Sequence, residues 1–302
     1  MRGENQNSSL NLMNVKTVVM LGLKVVILTF LLFFLFSVTS VVVGLTDFTQ
    51  ATNRMGVIVT LLFVCALNSI VLSYPIVRSR WTGWRLSLAI FFVFYGVMTF
   101  LSQIETVVFL KYLVDIVPTE IIPRLFMQGI IIAALFSPLA VLIHGKMKKA
   151  RESQKSSQPI AMPWTEWIWK LVLIAVIYVT IYISFGAFVA MPLGGKVFQD
   201  YYAGLKLPVW ILPFQMLRAM VWTALALPVI RMMKGSWWEA GLAVSLLFSV
   251  LMGSLLLLPN PYMPDRIRIA HFVEILSSNF IFGWIIVWLL NQHHTSLRDL
   301  FR

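Results

Sequence analysis

Long apolar blocks separated by short polar connections run through the whole chain. Each block is roughly as long as the helix of about 20 residues that crosses a hydrocarbon core about 30 Å thick. Eight blocks fit this pattern, and they cover approximately residues 17–45, 56–77, 86–103, 121–145, 167–192, 207–232, 237–258 and 269–290. The pattern therefore predicts an all-α fold, a polytopic integral membrane bundle of about eight transmembrane helices.

The composition excludes an ordinary soluble protein, because 59% of the residues are apolar and only 12% are charged. A soluble domain carries about 25% charged residues. The polar N-terminus precedes an apolar run that is too long for a signal-peptide core and lacks a small-residue cleavage site, so we interpret it as a retained anchor. No connection is long enough for a soluble domain, and the activity is expected within the bilayer or at its surface.

The formal net charge of +12 is concentrated in alternate connections. Basic residues follow the second, fourth and sixth blocks, whereas the connections between them are nearly neutral. This bias places both termini in the cytoplasm, and we expect the plasma (inner) membrane. The densest basic run, residues 146–155, lacks the interleaved aromatic residues that would suggest nucleic-acid binding. The expected partners are therefore membrane lipids, with anionic headgroups at the cytoplasmic face.

The two halves of the sequence resemble each other. An ungapped alignment of "YPIVRSRWTGW" with "LPVIRMMKGSW" matches Pro75 with Pro228, Arg78 with Arg231 and Trp84 with Trp237, and a second alignment puts Gln128 on Glu274. We predict a parallel internal repeat of four plus four helices, related by an axis along the membrane normal. Residues 1–150 form the first repeat, 151–166 a cytoplasmic linker and 167–302 the second repeat. The alternative is chance, because a Pro-apolar-Arg pattern is common at cytoplasmic helix ends.

Polar residues inside the apolar blocks give the candidate site. In the last block, "RIAHFVEILSSNFIFGWIIVWLL", helical geometry places His271, Glu274 and Ser278 within an arc of about 60°, with Asn279 beside them. Similar groups occur near the outer ends of other blocks. The full candidate polar cluster is Glu105, Arg124, Gln128, Gln215, Arg218, His271, Glu274, Ser278 and Asn279.

Burial of these polar residues in hydrocarbon costs free energy unless their side chains pair with one another or contact water. A charge at the centre of a spanning helix costs about 2.5–3.5 kcal/mol, so the side chains are expected to converge and pair, or to line a wet cavity. Arg218 is the expected counter-charge for Glu274, while His271 could bond Glu105 or a ligand. The cluster could be structural, fixing the register of the helices, or a substrate or proton pathway, or a catalytic site.

Motifs for catalysis and metal binding are absent from the sequence. It contains no HExxH, GxSxG or P-loop pattern. His271 and Glu274 supply two ligand types on one helical face, whereas metal sites usually need three or four. The lone Cys65 excludes an intramolecular disulfide. We therefore predict no catalytic residue, no metal and no cofactor.

Three functions remain open. The first is a transporter-like bundle that handles a small solute or ion at the cluster. The second is an intramembrane enzyme acting on a lipid-like substrate, and the third is a structural or accessory membrane subunit. The outward segment 194–208, with its two tyrosines, is either part of an interfacial aromatic belt or a lid over the cluster.

Overall fold

A computed structural model describes the backbone of residues 2–45, 54–113, 118–148, 160, 162–205 and 208–292. Side chains are described in the same ranges except at 2–14, 54 and 109–113. These residues form ten α-helices: α1 Arg2–Val42, α2 Arg54–Arg78, α3 Gly83–Tyr95, α4 Leu101–Leu113, α5 Ile121–Ile143, α6 Trp164–Phe185, α7 Met191–Tyr201, α8 Ile211–Met232, α9 Trp237–Gly253 and α10 Asp265–Asn291.

Eight helical segments are long and apolar enough to cross a membrane, as the hydropathy pattern predicts. Spans one to eight are Val15–Val42, Met55–Arg78, Gly83–Val108, Ile121–Ile143, Trp164–Tyr201, Ile211–Met232, Trp237–Leu257 and Asp265–Asn291. Large apolar side chains such as Phe30, Phe34 and Phe188 face outward, and they would contact lipid. The all-helical class is confirmed for the described residues, and the eight apolar helices are consistent with a multi-pass membrane protein.

Spans three and five extend beyond their predicted ends. A π-helical segment, Gly96–Phe100, joins α3 to α4, and a second, Gly186–Ala190, joins α6 to α7. Pro192 does not end span five, because it lies in the first turn of α7, where no intrahelical N–H bond is required. The helix then bends at Gly195, whose φ of 59° is accessible to glycine at little cost. Much of the two predicted outer loops is therefore helix.

The eight spans show the same order of neighbours in each set of four. In the first set, α1 packs against α2 and α5, and α3 packs against α2 and α5. In the second set, α6 packs against α8 and α10, and α9 packs against α8 and α10. Each set is thus a closed ring of four spans, and the two rings meet through contacts of α2 with α9 and of α3 with α8.

The connections that follow spans two and six pair with each other. Ser79 and Met233 form an isolated antiparallel β-bridge. The Arg80 N–H donates to the Met232 carbonyl at 2.7 Å, and the Lys234 N–H donates to the Arg78 carbonyl at 3.0 Å. These are the two segments whose sequences align, and we call the region around the bridge the basic seam.

Candidate functional site

Arg218 of α8 is the centre of a buried charge network. Only 2% of its side chain is exposed, and its guanidinium lies 2.9 Å from a carboxylate oxygen of Glu105 on α4. It also donates to Gln215 Oε1 at 2.9 Å and to the Leu101 carbonyl at 3.0 Å. The Gln215 side-chain amide, fully buried, donates weakly to Glu105 at 3.5 Å. A cation at this depth is stable because acceptors from two helices surround it.

His271 and Glu274 form a second network on α10, one helical turn apart. The Nδ1 atom of His271 lies 2.7 Å from Glu274 Oε2. The other ring nitrogen, Nε2, lies 2.8 Å from the hydroxyl of Tyr202, which directly follows α7. Both nitrogens of this imidazole are therefore engaged, and the ring connects a phenol to a carboxylate. We call Tyr202, His271 and Glu274 the outer relay, because the charge pattern of the sequence predicts that this end of the bundle faces outward.

Two tyrosines of α6 lie close to the Arg218 network, and one of them is also close to Glu274 of the outer relay. Tyr178 is within electrostatic reach of Arg218, Glu105 and Glu274, and its hydroxyl accepts a hydrogen bond from the Trp222 indole at 3.3 Å. Tyr182, one turn further along α6, is within electrostatic reach of Glu105 and Arg218. The two networks therefore lie in one region, where α4 of the first ring meets α6, α8 and α10 of the second ring.

Arg124 and Gln128 lie elsewhere. The Arg124 guanidinium on α5 donates to the Gly44 carbonyl at 2.6 Å, just beyond the end of α1. The Gln128 side-chain amide donates to Ser40 Oγ on α1 at 2.7 Å. Beside Gln128 is a cavity of about 30 Å³, which is space for a water molecule but not for an organic solute. These two residues join helices within the first ring.

Ser278 and Asn279 are buried on α10, one turn beyond Glu274. The Ser278 hydroxyl approaches the Ile275 carbonyl of its own helix at 3.5 Å. Such a contact within one helix adds nothing to the chemistry of the site. The structure therefore brings together five of the nine candidate residues: Glu105, Gln215, Arg218, His271 and Glu274.

The pairing expected from the sequence was wrong in its partners. Arg218 forms its ion pair with Glu105 instead of Glu274, and His271 bonds Glu274 instead of Glu105. The physical reason is that α4 continues span three as a helix, which carries Glu105 onto α8. Glu274 is left with the histidine one turn earlier on its own helix.

Tyr178 and Tyr182 lie at the site but were not among the candidates predicted from the sequence. They lie in an aromatic-rich span with no charged neighbour, so they are indistinguishable there from interfacial or packing tyrosines. Their four-residue spacing places them on one helical face, which is the only signal the sequence contains. Tyr202 belongs to segment 194–208, for which the sequence leaves an aromatic belt and a lid open, and its hydroxyl bonds His271 at 2.8 Å.

The π segment after α6 brings backbone close to the outer relay. A Cβ atom on Gly186 would lie 3.6 Å from Glu274 Oε1, so the carboxylate faces the glycine at the start of the π turn. π-helical turns are frequent at functional sites because they redirect neighbouring side chains. Among the described residues, no group of three or more His, Cys, Asp or Glu could hold a metal ion.

Comparison with known proteins gives no relative. No protein-family model, no curated protein and no solved structure matches this chain.

Proposed function

We propose that this protein is a transporter-like membrane bundle that handles a small ion at the polar groups of its second ring, and that the ion is a proton. The observation that carries the proposal is the outer relay, in which His271 lies between a phenol at 2.8 Å and a carboxylate at 2.7 Å. Chains of carboxylate and histidine inside membrane helices are typical of proton pathways in pumps and transporters.

The relay has the chemistry that proton movement requires. An imidazole accepts a proton on one nitrogen and releases one from the other, so a ring bonded on both sides can pass a proton between its partners. The side chains of His271, Glu274 and Glu105 are 21%, 13% and 25% exposed. These groups are neither sealed in a dry core nor open on a surface, which suits groups that exchange protons with a water-filled entry.

One observation favours a structural role as the second candidate. Arg218 has a carboxylate, an amide and a carbonyl around it and is almost fully buried. Such an arrangement fixes the register of α4 against α8 even if nothing moves through the site. In this alternative the protein is an accessory subunit, and its charged pairs only hold the helices together.

Proton flux through reconstituted liposomes separates the two candidates. With an internal pH-sensitive dye and an imposed pH gradient, the wild-type protein should dissipate the gradient faster than empty liposomes do. Glu274→Gln removes the carboxylate while keeping its size, and we expect flux at the level of empty liposomes. The matched control is Ser277→Ala, because that hydroxyl bonds the Val273 carbonyl of its own helix at 2.6 Å. A wild-type protein that dissipates the gradient no faster than empty liposomes would favour the structural role, and undiminished flux in a folded Glu274→Gln protein would exclude Glu274 from the proton pathway.

We propose that both termini lie in the cytoplasm, at the end of the bundle that carries the basic seam. The support is the concentration of Lys and Arg in the connections after spans two, four and six. Reporter fusions at Ser156 and after Arg302 should both report the cytoplasm. A reporter signal from the opposite side at either position would reverse the orientation.

We also propose that the two rings are copies of one four-span unit. The shared neighbour order supports this, and so do matched contacts. Gln128 of α5 bonds Ser40 near the end of α1, and in the second ring Glu274 of α10 faces Gly186 just after α6. The β-bridge at the basic seam, with its reciprocal hydrogen bonds, fits a two-fold axis along the membrane normal.

The duplication implies one ion site per chain. In the alignment that puts Gln128 on Glu274, His271 falls on Leu125 and Tyr182 falls on Phe36. Leu125, Phe36 and Gln128 line the small cavity of the first ring. In this proposal Leu125 and Gln128 of the first ring stand where the second ring has His271 and Glu274, so the first ring lacks the ionisable pair, and Glu105 reaches the second-ring site from α4.

A further inference from the structure

The basic seam brings together cationic side chains from three helix ends. Arg78 and Arg80 lie at the end of α2, Lys146 follows α5, and Lys234 follows α8. The ammonium group of Lys146 donates to the Ser79 carbonyl at 2.9 Å, and Ser79 pairs with Met233, the residue before Lys234. The ammonium groups of Lys146 and Lys234 therefore lie close together. Two ammonium groups are donors only, so they cannot bond each other and they repel at short range.

The acceptors of the seam are largely taken by its arginines. The Arg78 guanidinium donates to both carboxylate oxygens of Glu239 on α9, at 2.8 and 2.7 Å. The Arg80 guanidinium donates to the Met233 carbonyl at 3.0 Å. Among the described residues, neither lysine lies within 4.0 Å of a carboxylate oxygen. Within the described part of the chain, the lysine pair is thus a double positive charge with no carboxylate partner, beside an arginine that has one.

Lys146 is also partly withdrawn from water. Burial, and to a lesser extent the neighbouring Lys234, lowers the pKa of the Lys146 ammonium group. An anion held between the two lysines would accept hydrogen bonds from both and would compensate their charge. The position of the seam favours a lipid as the source of this anion. Candidate spans two, four and six end at Arg78, Ile143 and Met232, and headgroups are expected where such spans leave the hydrocarbon core.

We propose that the basic seam is a binding site for the phosphate group of an anionic membrane lipid, held between Lys146 and Lys234 where the two rings meet. Lipid bound here contacts the ends of α2, α5 and α8 together, so it fastens one ring to the other. The site is distinct from the outer relay, and its proposal does not depend on ion transport.

Thermal unfolding of the full chain in detergent tests this site, with phosphatidylglycerol, phosphatidylcholine and inorganic phosphate as the added probes. Phosphatidylglycerol should raise the Tm of the wild-type protein more than phosphatidylcholine does. Lys146→Gln and Lys234→Gln should each weaken the apparent affinity about fivefold, since a basic residue near the headgroups contributes about 1 kcal/mol. Lys234 is exposed, so its variant should fold even if the Lys146 variant does not.

Two further variants make the test specific. Lys148→Gln removes an exposed charge from the same connection and should keep the full response to phosphatidylglycerol. Lys146→Glu creates an ion pair with Lys234, so it should raise the Tm without lipid and abolish the response to lipid. An equal response to phosphatidylglycerol in all variants would overturn the proposal. So would equal stabilisation by inorganic phosphate alone, which would identify the ligand as a soluble phosphate.

Discussion

Replacing Glu105 with Gln should lower the free energy of unfolding by about 3–5 kcal/mol, because it leaves the Arg218 guanidinium buried without a counter-charge. Arg218 is 2% exposed and has no other carboxylate within 4.0 Å among the described residues. The double variant Glu105→Gln with Arg218→Met should recover much of the loss, since a buried pair replaced by neutral groups of similar size costs little. Thermal unfolding in detergent measures both changes.

A carboxylate outside the site gives the control for this pair. Glu120 is exposed at the start of α5, so Glu120→Gln should change the free energy of unfolding by no more than about 0.5 kcal/mol. If Glu105→Gln is no more damaging than Glu120→Gln, Glu105 and Arg218 do not form a buried pair. The junction between α4 and α8 would then need another explanation.

A methyl group added at Gly283 should destabilise the second ring. Its Cβ would lie 2.8 Å from Ser245 Cα and 3.0 Å from Ser245 N, so the backbones of α9 and α10 would have to separate. Small residues allow such close approach of membrane helices. We expect Gly283→Ala to cost about 1–3 kcal/mol, as overpacking of a filled core does, and Gly283→Leu to prevent folding.

Gly22 offers the matched substitution, because a Cβ there would meet nothing within 4 Å. Gly22→Ala should keep or slightly raise the Tm, since alanine is the better helix former. Comparison of the two alanine variants by thermal unfolding isolates the helix contact from the intrinsic cost of changing glycine. Similar Tm values for the two variants would mean that α9 and α10 are not packed backbone to backbone at this position.

The eight spans could be predicted because hydrocarbon thickness fixes their length and leaves a strong signal in hydropathy. The extended ends of spans three and five could not be predicted. Pro192 and the polar residues after Gln103 are typical of loops, yet the backbone continues as helix through two π turns. Tertiary packing determines whether such segments are helical, and tertiary contacts cannot be read from a single sequence.

The candidate site was predictable as a set of helical faces but not as a set of partners. Helical periodicity put His271 and Glu274 on one face, and the structure bonds them. Periodicity does not show which helix packs against a given face. The sequence therefore favoured Glu274 as the partner of Arg218, whereas the structure pairs Arg218 with Glu105 of α4. Arg124 and Gln128 have the same polar character as the site residues, and only their contacts with α1 separate them from it.

The claim that the outer relay exchanges protons with water is tested most directly by infrared difference spectroscopy of the reconstituted protein during a change of pH. We predict a reversible carboxyl band in the wild-type protein that is lost in Glu274→Gln and retained in Ser277→Ala. Such a band would identify Glu274 as a water-accessible group that gains and loses a proton while the bundle stays folded. Identical difference spectra for wild type and Glu274→Gln would contradict the account and leave the relay with a structural role only.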